Sequence, residues 1–301
     1  QAHEFSHVAV REEEFPELEG LRDTHCMIHP IEGGVENSHG KVNILLQAYL
    51  SRAEFKNFAL VSDSAYVVKN ASRIFRGLLE VAMYRGYPEL TYELLLWCKM
   101  LDKRLWWKQH PLHQFGLKPS TMYKLEEKNA TLDRLVDMSA SEIGNLVGHM
   151  RMGDTIVDFV SRVPYLSMTA TIQPITSTVV KIRVELYADF KWDSRTHGAV
   201  EPFWIWVEDS EMIFEKEYFV LQKDKRREAH YVEFDIPVPD PRPSFYIVRA
   251  VSDRWLGSES EISVPLENLV LPGETFQPTP LLELTPLPRS ALQNAEYEKI
   301  F

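Results

Sequence analysis

Histidine and cysteine side chains are the first candidates for chemistry in this sequence, because imidazole and thiolate groups bind zinc. His25, Cys26 and His29 lie close together, and His110 and His113 form a second pair. Neither group has a further cluster at a spacing that would complete a tetrahedral site, and the sequence contains no HExxH motif. We therefore predict no metal site and interpret these histidines as surface or packing residues.

The segment GVENSHGK at 34–41 invites comparison with a phosphate-binding loop. Five residues separate Gly34 from Gly40 where that motif has four, and Val42 stands where a Ser or Thr would ligate magnesium. We therefore expect an ordinary helix start at this point and no nucleotide site in this chain.

Nucleophile motifs are equally weak. The sequence has no GxSxG motif, and neither of its two cysteines, Cys26 and Cys98, has a local base. We predict no catalytic residue. Two cysteines in 301 residues are typical of a reducing compartment, which favours the nucleus and cytoplasm, although one disulfide stays an open alternative.

A predicted helix over 65–85 carries a more informative pattern. At about 100° per residue, one face opposite its apolar stripe collects polar side chains, with the last named at its edge: Tyr66, Lys69, Asn70, Arg73 and Arg76. Tyr66 and Arg73 are two turns apart, roughly 10 Å at 1.5 Å per residue. An aromatic ring and a guanidinium at that spacing can contact bases while the lysine and the second arginine meet phosphates. A solvated polar face is the alternative.

The charge of the chain restricts where nucleic acid could bind. The sequence holds 33 Lys and Arg against 44 Asp and Glu, a formal charge of −11, which argues against sequence-independent coating of nucleic acid. The segment 66–108 reverses the balance, with eight basic and four acidic residues, so polyanion contacts are expected there. No apolar run approaches the ~20 residues of a membrane helix, so no membrane partner is predicted.

The elements that must position these residues are helical in the first half of the chain. The periodicity predicts helices over 11–23, from Ser38 to Leu50, and over 65–85, 90–107, 121–128, 131–137, 141–150 and 154–163. Ser62, Asp63 and Ser64 offer N-caps for the third helix and Gly86 a C-terminal stop. The turn 151–153 is expected to join the last two helices.

Beyond Pro164 the hydrophobic period changes to alternation, which predicts strands near 168–174, 180–187, 203–208, 212–221, 232–236, 244–251 and 259–264. The fold class is therefore α+β and multidomain. We predict a helical bundle (1–138), a helix-loop-helix (139–165), an immunoglobulin- or fibronectin-like β-sandwich (166–268) and an extended Pro-rich linker (269–301). Four tryptophans are interpreted as core and inter-domain packing rather than a carbohydrate platform: Trp192, Trp204, Trp206 and Trp255.

Several segments taken together resemble the Sec sixty-three homology unit of the Ski-two-like helicases with two tandem cassettes. The resemblance covers nearly the whole chain and is carried by segments such as SDSAYVVKNASRIFRGLLE (62–80) and YIVRAVSDRWLG (246–257). The other carriers are 33–52, 101–107, 168–192, 202–209 and LPRSAL at 287–292. The last resembles a linker that precedes a second cassette, so the chain is expected to be the first of two such units.

The resemblance implies a bundle, a helix-loop-helix and an immunoglobulin-like domain in that order. In that family the long bundle helix crosses a nucleic-acid tunnel as a ratchet, which places Tyr66 and Arg73 at strand-facing positions. The implied partners are single-stranded RNA or DNA, the RecA-like and winged-helix domains of the same chain, and other complex subunits. No Walker motif or acidic helicase box is present. ATP and magnesium are therefore expected in the parent's motor domains, with no cofactor here.

Two other functions stay open. A pure protein-interaction scaffold would use the same residues only for packing, and the charge of −11 favours it. A free-standing translocation accessory is weakened by the lack of membrane helices. Membership of the spliceosomal two-cassette branch is a further alternative. The resemblance also implies that the parent protein acts in ribosome quality control and DNA repair.

Overall fold

The computed structural model describes residues 3–267, 269–273, 282–284, 288, 291 and 293–299. A helical part comes first and two antiparallel β-sheets follow, which confirms the α+β prediction. The helices are α1 (Phe15–His25), α2 (Ser38–Leu50), α3 (Phe58–Arg85), α4 (Pro88–Lys103), α5 (Pro119–Glu127), α6 (Leu132–Val136), α7 (Ala140–Leu146) and α8 (Met150–Arg162).

Helix α3 begins seven residues earlier than the sequence predicted. Asn57 is the N-cap, and its side-chain oxygen accepts a hydrogen bond from the backbone N–H of Ala59 at 2.8 Å. The predicted caps lie inside the helix, where the Asp63 carboxylate binds Lys41 and Ser64 is buried. The predicted end is correct, because Gly86 takes a left-handed conformation with φ of 72°.

The connection between α7 and α8 also differs from the prediction. The turn lies at 147–149, where Gly148 has a positive φ of 67°, rather than at 151–153. Gly153 is needed inside α8 for another reason, since a Cβ there would lie 1.8 Å from the carbonyl oxygen of Ala140. The two helices therefore pack in close backbone contact as a helix-loop-helix.

Seven strands form the two sheets of the described chain. They are β1 (Leu166–Pro174), β2 (Val179–Ala188), β3 (Val200–Glu208), β4 (Ile213–Gln222), β5 (His230–Pro237), β6 (Phe245–Ser252) and β7 (Glu259–Pro265). One sheet has the order β1-β2-β5 and the other β4-β3-β6-β7, with antiparallel pairing throughout. Alternate residues of both sheets, such as Ile182, Val184, Ile205 and Val248, share one buried core.

Helix α3 contributes to two different cores. Its first half buries Leu60, Val67 and Ala71 in a core with α1 and α2. Its second half packs with α4 and the second sheet through a cluster that contains Leu79, Ala82, Met83, Trp206, Ile213 and Val251. Leu78, next to Leu79 in the sequence, lies outside this cluster and is 48% exposed. One continuous helix therefore joins the bundle to the sheets.

The tryptophan prediction is confirmed for Trp206 and Trp255, which are both buried. About half of the Pro-rich linker predicted over 269–301 lies outside the described residues, and so does LPRSAL at 287–292 except for 288 and 291. Leu269 and Leu271 pack against the core shared by the sheets. No helix in the described part of the chain is both long and apolar enough to cross a bilayer.

Candidate nucleic-acid interface

The exposed face of α3 carries the residues that the sequence singled out. Tyr66 is 45% exposed, and the Arg73 side chain, two turns further on, is 64% exposed. Lys69 lies on the same face and is also exposed, with no ion-pair partner among the described residues. The Asn70 side chain donates a hydrogen bond to the Tyr66 carbonyl oxygen at 2.9 Å. An aromatic ring and two cations therefore project from one helix surface.

The N-terminal turn of the chain reaches this surface. The Tyr66 hydroxyl donates a hydrogen bond to the backbone carbonyl oxygen of Glu4 at 3.1 Å. The Glu4 carboxylate accepts one from Arg73 Nη2 at 2.7 Å, and this contact lowers the pKa of Glu4. The helical pattern does not bring Glu4 to this face, because Glu4 and Tyr66 lie 62 positions apart in the sequence.

Arg76 points away from the exposed face. Its guanidinium pairs with the Asp253 carboxylate and also donates to the Asp253 carbonyl oxygen at 3.3 Å. The same carboxylate accepts hydrogen bonds from Trp204 Nε1 at 3.1 Å and from the Tyr218 hydroxyl at 3.3 Å. The half-buried Arg76 is therefore held at the junction with the second sheet, and its predicted phosphate contact would require that pair to open.

Tyr84, which the sequence pattern did not single out, is 83% exposed. Tyr84 lies 18 residues after Tyr66, which is five helical turns, so both side chains leave α3 in the same direction. Val81 lies beside it and is also exposed. The signal was present in the sequence, since continuing the polar face of α3 by the same 100° steps reaches Tyr84.

The phosphate-loop lookalike has a structural role in this fold. Lys41 is fully buried, and its Nζ lies 2.5 Å from a Glu14 oxygen, 2.7 Å from an Asp63 oxygen and 2.8 Å from the Ala9 carbonyl oxygen. The ammonium group is thus surrounded by acceptors from three segments. The loop leads into α2, whose N-cap is Asn37.

The histidine groups make ordinary contacts. His29 Nε2 lies 3.0 Å from the Cys26 carbonyl oxygen, and His113 Nε2 lies 3.0 Å from a Glu126 oxygen. Burial lowers the pKa of His110, which bonds backbone groups. The residues that the structure describes hold no cluster of three His, Cys, Asp or Glu side chains placed for a metal.

The two cysteines are free thiols. Burial raises the pKa of both Cys26 and Cys98 to about 11, so neither is a thiolate at neutral pH.

A second surface feature lies where the helical part meets the sheets. A cavity of about 930 Å³ is lined by cations and aromatic rings, among them Lys103, Phe115, Arg162, Trp192, Arg195 and Trp255. The Lys103 ammonium lies 5.0 Å from the Trp255 ring centroid, and Arg162 Nη1 donates to Asp193 at 2.7 Å. The sequence named two of these tryptophans but gave no sign that the cations would join them.

Comparison with known proteins places this arrangement in a family. The family model described as "Sec63 Brl domain" matches residues 1–265. The chain is 47% identical over 307 aligned positions to activating signal cointegrator 1 complex subunit 3 of Gallus gallus, and 46% identical to that of Homo sapiens. It is 40% identical over 301 positions to the U5 small nuclear ribonucleoprotein 200 kDa helicase of Homo sapiens.

These matches cover 99–100% of the chain but only 14% of each relative. The resemblance to the Sec sixty-three homology unit is confirmed by the family match and by both sets of relatives. The chain therefore belongs to the Sec63 Brl domain family.

Proposed function

We propose that this chain is the non-catalytic, strand-guiding module of an ATP-dependent superfamily-two helicase. The proposal is supported by the family and by one relative whose name includes the word helicase. ATP and magnesium are assigned to motor domains of the parent protein, which would include RecA-like and winged-helix domains. The substrate is single-stranded RNA or DNA.

The observation that carries the proposal is the joint exposure of Tyr66 and Arg73 on one face of α3. Stacking of a base on an aromatic ring contributes about 1–3 kcal/mol and tolerates any sequence. Lys69 adds a cation that can release counterions from a phosphate. A helix with these groups can hold a strand without reading its sequence, as translocation along varied sequences requires.

The opposite side of α3 explains how such a face would be kept in place. The helix is packed in two cores, and Arg76 ties its second half to Asp253. We infer that the two sheets form a sandwich of the immunoglobulin or fibronectin type that braces the helix. In this sandwich β4 pairs with β3, whereas the constant-type immunoglobulin arrangement places the fourth strand in the first sheet.

A protein-interaction scaffold is the second candidate. It is favoured by the charge of −11 and by three exposed apolar or aromatic side chains on the second half of α3, namely Leu78, Val81 and Tyr84. Such residues are typical of a contact with another protein surface. The two functions are compatible, because they use different parts of the helix.

Alanine substitution in the complete helicase polypeptide tests the strand-guiding function. We expect Tyr66→Ala and Arg73→Ala each to weaken binding of a fluorescent oligouridylate about five-fold or more, as loss of a stacked base implies. Fluorescence anisotropy measures the affinity, and strand-displacement assays measure unwinding.

Matched controls come from the same chain. Tyr123 is 66% exposed on α5, and Arg85 is exposed on α3 but about 120° around the helix from Arg73. Tyr123→Ala and Arg85→Ala should bind the strand like the wild type. If Tyr66→Ala and Arg73→Ala behave like these controls while circular dichroism shows intact folding, the strand-guiding function is wrong.

A further inference from the structure

The N-terminal turn occupies the two side chains that the proposed strand contact uses. Its Glu4 carboxylate binds Arg73, and its Glu4 carbonyl oxygen binds the Tyr66 hydroxyl. Glu4 therefore contacts both Tyr66 and Arg73, the two residues that bind the strand together in the proposed function. A strand phosphate and Glu4 cannot both take the same guanidinium edge.

Chemical likeness makes Glu4 a competitor rather than a neutral neighbour. Arginine binds carboxylates and phosphates through the same planar arrangement of N–H donors. The Glu4 side chain therefore presents to Arg73 the same kind of anion that a strand would present. The Arg73–Glu4 distance of 2.7 Å is that of a charge-assisted hydrogen bond.

Glu4 is held near Arg73 by its neighbours in the chain. Phe5 and Val8 are buried in the core of the helical bundle, and the Ala9 carbonyl oxygen is bound by Lys41. This anchoring keeps the carboxylate at a high local concentration beside the arginine. The ion pair itself is exposed, at 41% for Glu4 and 64% for Arg73, so a strand can displace it at little cost.

We propose that Glu4 competes with strand phosphates for Arg73 and so weakens the grip of α3 enough for the strand to be released between steps. The inference rests on the proposed function, because it assigns a regulator to the same face. A weak, anchored anion fits this role, since a strong one would block the face altogether. A module without it would hold the strand longer.

The test uses Glu4→Gln in the complete helicase polypeptide, which removes the charge and keeps the backbone contact to Tyr66. We expect oligouridylate affinity to rise about two- to five-fold at low ionic strength, the range of an exposed ion pair. Dissociation, followed by stopped-flow anisotropy, should slow by the same factor. Glu13→Gln is the matched control, because it removes an exposed carboxylate from the same segment without an ion pair to α3 among the described residues.

The double variant Glu4→Gln/Arg73→Ala separates the outcomes. If Glu4→Gln gains affinity beyond Glu13→Gln and the gain disappears without Arg73, the competition is supported. If Glu4→Gln matches Glu13→Gln, or its gain persists without Arg73, the competition is refuted even where Arg73→Ala still weakens binding. If Arg73→Ala itself has no effect, the proposed function fails and the competition fails with it.

Discussion

The buried lysine at the start of α2 offers the sharpest test of how the fold is held together. Lys41→Met keeps most of the side-chain volume but removes the ammonium group that contacts Glu14, Asp63 and the Ala9 carbonyl oxygen. Glu14 is fully buried, so without the Lys41 ammonium its carboxylate is a buried charge that has lost a buried partner. Removing one member of a buried ion pair lowers the free energy of unfolding by about 3–5 kcal/mol.

The lower end of that range applies here because Arg11 also pairs with Glu14 and would remain. We therefore expect Lys41→Met to lower the free energy of unfolding by about 3 kcal/mol. Urea unfolding followed by far-ultraviolet circular dichroism measures the loss in the helical part. Lys56→Met, an exposed lysine before α3, is the control and should change stability by less than about 0.5 kcal/mol.

A second substitution tests whether the unpaired Glu14 carboxylate causes the loss of stability. Adding Glu14→Gln to Lys41→Met removes the unpaired buried charge, so part of the lost stability should return. A loss below about 1 kcal/mol for Lys41→Met, or a further loss in the double variant, would show that the ion pair does not stabilise this junction.

Two further predictions concern the second sheet. Asp253→Ala leaves Arg76, Trp204 Nε1 and the Tyr218 hydroxyl without their shared acceptor. We therefore expect the free energy of unfolding, measured by urea titration, to fall by about 1–3 kcal/mol. An unchanged urea midpoint would show that these contacts to Asp253 do not stabilise the fold. Burial raises the pKa of Glu201 to about 7, whereas an unfolded glutamate titrates near 4.3, so the folded state binds the proton more tightly. The free energy of unfolding should therefore fall as pH rises from about 4.5 to 7, and Glu201→Gln should lack that fall, which a pH series of urea titrations would check.

The sequence predicted β2 and β5 well because each of these strands keeps a simple alternation of apolar and polar residues. Val232, Phe234 and Ile236 alternate with charged residues, and the observed strand is β5 (His230–Pro237). It predicted the start of α3 poorly because Asp63 has the side chain of a cap while its carboxylate is used in a tertiary ion pair. Local sequence patterns predict local hydrogen bonds such as helix caps. They give the wrong helix start where a cap-forming residue binds a distant partner instead.

The candidate site shows the same limit. The face with Tyr66, Lys69 and Arg73 follows from helical geometry alone, so the sequence was enough to predict it. The pairing of Arg73 with Glu4 joins residues 69 positions apart, and that of Arg76 with Asp253 joins residues 177 positions apart. Helical periodicity cannot predict such distant partners. The three-dimensional structure is therefore needed to show that Arg73 is exposed whereas Arg76 is half-buried.

That separation has a mechanical consequence for α3. Arg73 and Arg76 are three residues apart, so the proposed strand contact and the contact to the second sheet lie within one helical turn. A force on the strand would reach the sheet through a continuous helix whose two halves are packed in different cores. Loss of Arg73 should therefore weaken strand binding alone, whereas loss of Arg76 should leave the binding face intact and loosen its attachment to the sheet. A helix that guides a strand needs both the strand contact and the attachment to the sheet, because a helix that binds the strand but is not held in place would move with it.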